Sequence, residues 1–251
     1  MPRRSAIALG VLGVLCATGA ADAQPRFNVI HTFTGLTAPK NPSSVLVNGG
    51  DGNLYGLTCS GGRSFYGTAI RLSLAGAITV LHEFDTSEGY CPAGLVIAGD
   101  ATMYGVMRAG PGSSAQRLFR MTRQGVVTPV QTVFPAGTTL QSLVAASDGN
   151  LYARASASVY RVAPAGTVTL VRTFAQPVLA LTQASDGNLY GVIGSSTPSI
   201  FRLGLDGTSA TLHTFTSAEA PPVSLATLVQ GVDGNLYGGS DGSKQGIGSA
   251  F

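Results

Sequence analysis

The chain has 251 residues, 44% of them hydrophobic and 11% charged, with 34 glycines and no tryptophan. That is enough apolar area for a packed core and too few charges for a coiled coil or a disordered tail, and the glycine content favours turn-rich β structure. The net charge of +3 is too small and too dispersed for a nucleic-acid footprint.

Residues 1–23 read as a secretory signal peptide: a positive start at Arg3 and Arg4, an apolar stretch from Ala6 to Ala17, and the small-residue exit Ala21-Asp22-Ala23. An apolar run of ~12 residues is too short for a membrane span, which needs ~20, so no transmembrane anchor is expected. Leu15 stands directly before Cys16, where a lipid-attachment signal would have a small residue. The expected location is secreted or periplasmic in a bacterium, with 24–251 as the mature chain.

That chain repeats itself. Asp51-Gly52-Asn53-Leu54-Tyr55 recurs at 148–152, 186–190 and 233–237, with a degenerate copy at 100–104. The five tyrosines are 49, 48, 38 and 47 residues apart, and an apolar run precedes each. After each of the first four comes an apolar or aromatic residue, Arg and another apolar residue: Ile70-Arg71-Leu72, Phe119-Arg120-Met121, Tyr160-Arg161-Val162 and Phe201-Arg202-Leu203. A glycine turn then leads to a strand ending in Phe84, Phe134, Phe174 or Phe215. Each unit therefore reads as four short antiparallel strands, with Asp-Gly as a two-residue primed hairpin turn between the first two. A period of ~40–50 residues with four strands is the pattern of propeller blades. The expected fold is all-β: a five-bladed propeller in one domain, 24–251, with units near 34–84, 85–134, 135–174, 175–215 and 216–251. The strand at 27–33 supplies the outer strand that the fifth unit lacks and closes the ring, which removes two sheet edges. A truncated piece of a longer repeat array is the alternative.

These motifs resemble the choice-of-anchor GloVer tandem-repeat family of bacterial extracellular proteins, whose repeats run D-G-N-L-Y-G, F-R-L and L-H-x-F. The resemblance covers nearly all of 27–251 and implies a secreted or surface-displayed repeat protein of unsettled biochemical role. No C-terminal anchor of the family's kind is visible. More distantly the blades are similar to streptogramin-lyase propellers, which are enzymes.

Most chemistry-bearing residues are absorbed by the repeat. His31, His82 and His213 all stand two before the outer-strand Phe, so they belong to equivalent places and cannot converge on one metal. Five Asp residues occupy the hairpin turns and Asp206 another turn, and the hairpin carboxylates are expected to bond nearby backbone amides. Glu83, Asp85, Glu88, Glu219 and Asp241 remain, none on an innermost strand where a channel metal would need converging oxygens. No nucleophile elbow or phosphate loop is present. Arg71, Arg120, Arg161 and Arg202 are read as stems packed over each blade with guanidinium groups on neighbouring loop carbonyls. No catalytic residue, metal site or cofactor is assigned.

What the repeat leaves over points to one place. Cys59 and Cys91 are expected on the same face of adjacent blades, and a disulfide between them competes with two free thiols. Beside them lie Phe65, Tyr66 and Tyr90, aromatics outside the repeat, together with Arg63 and Glu88. Exposed aromatics with polar neighbours suit sugar stacking or a protein contact. The expected function is a monomeric, non-catalytic binding or surface-interaction module with a polysaccharide or cell-surface protein as ligand. A propeller enzyme of the lyase or lactone-hydrolase type, and a truncated repeat protein without a ligand, are the alternatives.

Overall fold

The computed structural model describes residues 29, 32, 37–108, 116–194, 198–216, 225–240 and 249–250. The expected signal peptide, most of the closing strand 27–33, His31, the loop 109–115 and the acidic residues Glu219 and Asp241 lie outside the described residues.

Within 31–251 the strands fall into five antiparallel sheets, each made of strands consecutive in sequence. The first holds β1 (Lys40–Pro42), β2 (Val47–Asn48), β3 (Asn53–Ser60), β4 (Thr68–Ser73) and β5 (Ile78–Glu83). The second holds β6 (Tyr90–Ile97), β7 (Met103–Arg108), β8 (Arg117–Met121) and β9 (Val127–Val130). The third holds β10 (Ser142–Ala145), β11 (Leu151–Ala155), β12 (Ser158–Val162) and β13 (Val168–Thr173). The fourth holds β14 (Val178–Gln183), β15 (Leu189–Ile193), β16 (Ser199–Leu203) and β17 (Ser209–Thr214). The fifth holds β18 (Leu225–Gln230), β19 (Leu236–Ser240) and β20 (Ser249–Ala250). In the first sheet the inner strand is split: β1 and β2 both pair with β3, and between them the Ser44 hydroxyl accepts the Leu57 N–H at 3.0 Å.

Successive sheets pack face to face, and the period of two assigns each side chain a neighbour. Tyr55 and Leu57 of the first sheet meet Leu95, Met103, Met107 and Phe119 of the second. Tyr104, Val106 and Leu118 then meet Leu143, Leu151 and Ala153 of the third. Tyr152 and Val159 meet Val178, Leu189 and Phe201 of the fourth, and Val192 meets Leu228 of the fifth. In the first four sheets the motif tyrosine faces the next sheet, and in the last four the residue before it faces the previous one. Both faces of a middle sheet are thus buried, so its strands are apolar on both sides.

The turns differ from expectation. At 146–150 the Ala146 N–H donates to Asn150 O, the Gly149 N–H donates back to Ala146 O, and only Gly149 has positive φ, at 80°. This is a three-residue loop, a type I turn followed by a left-handed glycine, and not a two-residue primed turn. Asp148 keeps negative φ and acts through its carboxylate. The same loop recurs at 184–188 and 231–235, and again in the outer hairpins at 122–126, 163–167 and 204–208. Glycine is required twice over at Gly125, because a side chain there would meet Leu81 O of the preceding sheet at 2.2 Å. Leu81 is the extra residue of a bulge in β5, so its carbonyl projects toward the next sheet.

Candidate functional site

Two opposite ends of the strands have different chemistry. At the hairpin-turn end the repeat satisfies itself. Asp148 accepts the Asn150 N–H at 3.0 Å, the Asn150 side-chain amide at 2.8 Å and the Tyr152 hydroxyl at 2.9 Å. Asp186 with Asn188 and Tyr190, and Asp233 with Asn235 and Tyr237, repeat the three bonds. Burial alone raises the Asp148 carboxyl pKa, and the bonds from Asn150 and Tyr152 outweigh it, so the net shift is downward. Burial, then the bond to Asp148, pushes the Tyr152 phenol up. Sequence reasoning found the Asp-to-backbone bond and missed the tyrosine. The signal was present as the fixed spacing of four residues between Asp and Tyr.

The histidines follow the repeat as well. The rings of His82 and Phe84 meet edge to face at 4.7 Å, and those of His213 and Phe215 at 4.9 Å. Among the described residues the four repeated arginines donate to no loop carbonyl. Their observed place is opposite the motif tyrosine, as Tyr55–Arg71, Tyr104–Arg120, Tyr152–Arg161 and Tyr190–Arg202 pairs across β-strands. Carbonyl contacts fall to other arginines: Arg123 to Gly49 O, Arg154 to Val178 O and Arg172 to Gly207 O.

At the other end, the connection after β3 and the one before β6 are fastened to each other. Cys59 and Cys91 form a disulfide between the first and second sheets. The Cys91 N–H donates to Tyr66 O at 3.0 Å, the Phe84 N–H donates to Gly67 O at 3.0 Å, and the Ser43 hydroxyl donates to Pro92 O. Beneath them the hydroxyls of Thr58 and Thr68, both fully buried, bond each other at 2.8 Å. A polar pair buried at this depth is stable because each hydroxyl has a partner.

On this base the expected site residues separate into two groups. Phe65 is held at a positive φ of 61° with 59% of its surface exposed. Tyr90 is 40% exposed at the start of β6, directly before the disulfide. Tyr66 between them is half-buried against the first core. Arg63 is exposed, and its partner is Glu83, whose Oε2 lies 3.2 Å from the Arg63 N–H and 3.6 Å from Nε. Glu88 pairs with His82. Its carboxylate oxygens lie 2.9 and 3.0 Å from His82 Nε2, and it accepts the Asp85 N–H at 3.2 Å. Glu88 borders a hollow of about 270 Å³ between the first two sheets, walled by Phe84, Met107, Phe119, Val127 and Pro129 with Arg117 at its edge. Sequence reasoning missed Glu83, His82 and Arg117 as neighbours, because nothing in their local spacing relates them to the aromatics.

Among the described residues no group of three or more His, Cys, Asp or Glu side chains is placed to share a metal ion. Among them, too, no helix is long and apolar enough to cross a membrane.

Comparison with known proteins gives a family and a fold. The Gloeobacter/Verrucomicrobia repeat matches residues 20–192. No curated protein matches the chain. Among solved structures, a catalytically inactive virginiamycin B lyase from Staphylococcus aureus is similar at 14% identity, with 84% of each chain covered and a TM-score of 0.57. The extracellular domain of a protein of Bacteroides thetaiotaomicron, described as a one-component system, is 13% identical with a TM-score of 0.61. That likeness covers 91% of this chain and 28% of the other. A gluconolactonase from Xanthomonas campestris is 12% identical over 74% of this chain and 65% of its own, with a TM-score of 0.56. At these identities the likeness is one of fold: all-β, built from antiparallel four-stranded sheets in the manner of a propeller.

Proposed function

Because the chain belongs to the Gloeobacter/Verrucomicrobia repeat family, we propose that it is an exported, non-catalytic binding module that captures an extracellular polysaccharide on the surface formed by Arg63, Phe65, Tyr66 and Tyr90. The observation that carries this reading is the pair Phe65 and Tyr90. Both hold large ring area in solvent on loops fixed by a disulfide and backbone hydrogen bonds. Rigid, exposed rings bind with little ordering cost, and a sugar's C–H face is a natural partner for them. The adjacent Arg63 guanidinium, fully in water but for Glu83, adds donors for hydroxyl or carboxylate groups.

Placement outside the cell is part of the proposal. A disulfide persists in oxidising compartments, and one structural neighbour is itself an extracellular domain. The proposed architecture is a single domain over 24–251, with five blades and a ring closed with the help of 27–33. Leu46 on the leading face of the first sheet and Val229 and Tyr237 on the trailing face of the fifth are exposed, whereas their counterparts Leu95, Leu143 and Leu228, and Tyr55, Tyr104 and Tyr152, are buried. Each end face has the apolar character of an inter-sheet contact, and the proposed closure would bring the two together.

Thermal unfolding of purified 24–251 against a polysaccharide panel, Mg²⁺, Ca²⁺ and lactone or streptogramin substrates tests the function. A ligand at 100 times its Kd stabilises the native state by about 2.7 kcal/mol. The expected result is a shift with a polysaccharide that Phe65→Ala together with Tyr90→Ala removes. A shift with a metal and a lactone alone overturns the binding-module reading in favour of an enzyme.

A further inference from the structure

At the hairpin-turn end the last residue of the inner strand is Asn48, Ile97, Ala145, Gln183 and Gln230 in the five sheets, and the smallest of them borders a hollow. In the fourth and fifth sheets a glutamine closes the inner strand and links two sheets. Gln183 accepts the Ser147 N–H of the third sheet's turn at 2.7 Å and donates to Gly187 O of its own turn at 2.8 Å. Gln230 does the same with Ser185 at 2.8 Å and Gly234 at 2.9 Å. The third sheet has Ala145 at this register, opposite Leu151 as Gln183 is opposite Leu189. No side chain therefore spans from the third sheet to the turn of the second. The space left is about 550 Å³ and is bordered by Asp100, Tyr104, Ala145, Ser147, Pro164 and Gln183. A volume of ~300–1,000 Å³ is ordinary for a small-ligand site.

The same place is where the Asp–Tyr bond is absent. Asp51, Asp148, Asp186 and Asp233 each accept the hydroxyl of their tyrosine, at 2.7, 2.9, 2.8 and 2.6 Å. Asp100 accepts only the Thr102 N–H, at 2.9 Å, through Oδ1, and acts on Tyr104 through its charge alone. Among the described residues, Asp100 Oδ2 and the Tyr104 hydroxyl have no hydrogen-bond partner, and both residues border the hollow. Two features thus coincide: the small side chain of Ala145 makes room, and the unpaired carboxylate and phenol furnish the room with an acceptor and a donor.

We propose that this hollow is a second binding site, separate from the Phe65 surface, and that it takes a neutral saccharide of one or two rings. A carboxylate oxygen accepts from one ligand hydroxyl, and the phenol donates to another. Arg120 stands opposite Tyr104 across β7 and β8 and acts on its phenol in the sense opposite to Asp100. Ala98, Ala145, Ala146 and Pro164 give the smooth apolar wall against which a pyranose C–H face packs.

Titration calorimetry of the full chain with glucose, galactose, maltose and cellobiose, and with spermidine and citrate as charged probes, tests the site. The decisive variant is Ala145→Gln, which restores the side chain used in the next two sheets and fills the hollow without disturbing the fold. The expected result is binding of at least one neutral sugar, weakened about tenfold or more by Ala145→Gln and by Asp100→Asn. Phe65→Ala with Tyr90→Ala leaves it unchanged, which keeps this outcome distinct from that of the proposed polysaccharide surface. Unchanged sugar affinity in Asp100→Asn and Ala145→Gln, binding of spermidine or citrate in place of sugars, or no sugar binding at millimolar concentration overturns the proposal.

Discussion

The two ends of the strands solve the same problem in different ways. Every sheet must fasten its inner hairpin and hold its neighbour. At the hairpin-turn end this is done by a side-chain code written into four of the five units, Asp to its Tyr within the turn, with Gln183 and Gln230 between the later turns. At the other end it is done by links that differ from seam to seam: a disulfide and backbone bonds between the first two sheets, Gln116 with Leu140 between the second and third, and Val178 N–H to Ser156 O with Arg154 to Val178 O between the third and fourth. The repeated solution distributes stability over many equivalent contributions, whereas the varied one places a covalent bond at a single seam, beside which Phe65 and Tyr90 face solvent. Binding residues are expected where the repeat does not need them, and both proposed sites obey that rule.

The sharpest way to break this contrast is to remove the disulfide. Closing a loop across 32 residues of separation stabilises by about 3–4 kcal/mol in the chain-entropy account. Cys59→Ser with Cys91→Ser is therefore expected to lower the unfolding free energy by roughly that amount, as read from urea unfolding, with a steeper slope because the uncrosslinked chain unfolds further. It should also weaken polysaccharide binding at Phe65 and Tyr90 while sparing the saccharide hollow. A free-thiol titration of the unfolded wild type that finds two reactive cysteines would sink the premise.

Deleting one link of the repeated code costs less. Tyr152→Phe removes a hydroxyl bonded to Asp148 beneath a fully packed ring and is expected to cost about 1 kcal/mol. Tyr237→Phe, at a ring 47% exposed, is expected to cost less than that. The pH dependence has a definite sign. The Asp148 carboxyl is held below its ordinary value of 3.8, so its contribution is present above that pH and is lost as pH falls through the lower folded value. The Tyr152 phenol is raised above its ordinary 10.0, so its contribution is present below pH 10.0 and is lost only as pH rises through the higher folded value. Urea unfolding of Tyr152→Phe between acid and alkaline pH should show a shallower decline at both extremes than wild type; curves of identical shape contradict the assignment.

Much of this end was legible before any coordinates. Apolar runs, the Asp-Gly turns of four units and the apolar-Arg-apolar triplets of the first four place most strands of the sheets, because each signal is local and is repeated. The turn geometry was not legible, since Asp-Gly is compatible both with a two-residue primed turn and with the three-residue loop that Gly149 closes. Nor was the reason for Gly125, which depends on the bulge carbonyl of Leu81 in another sheet. For the site, subtraction of the repeat isolates Phe65, Tyr66 and Tyr90. It does not reveal that Arg63 pairs with Glu83 while Glu88 turns to His82, because those partners are set by how two loops fold over one another. The hollow at Ala145 was hidden for a simpler reason: its cause is a missing side chain, visible only once the register identifies Ala145 with Gln183 and Gln230.

The smallest effect sharpens the comparison within the hairpin-turn end itself. In the degenerate turn of the second sheet the loop closes as in its siblings, with Ala98 N–H to Thr102 O and Ala101 N–H back to Ala98 O, both at 2.9 Å. The left-handed position that glycine fills at 149, 187 and 234 is filled here by Ala101, at a φ of 66°. An alanine pays a steric cost in that conformation, on the order of 1 kcal/mol, and part of the relief from substitution is returned as extra freedom of the unfolded chain. Ala101→Gly is thus expected to stabilise the protein by about 0.5–1 kcal/mol, whereas Gly149→Ala at the regular turn destabilises by a similar amount. Opposite signs at two positions with the same hydrogen bonds would show that the backbone conformation is imposed by the repeat and not chosen by the residue. Equal signs would mean that the second turn relaxes to another geometry. The Asp100 carboxylate would then not be held beside Tyr104 as the saccharide site requires.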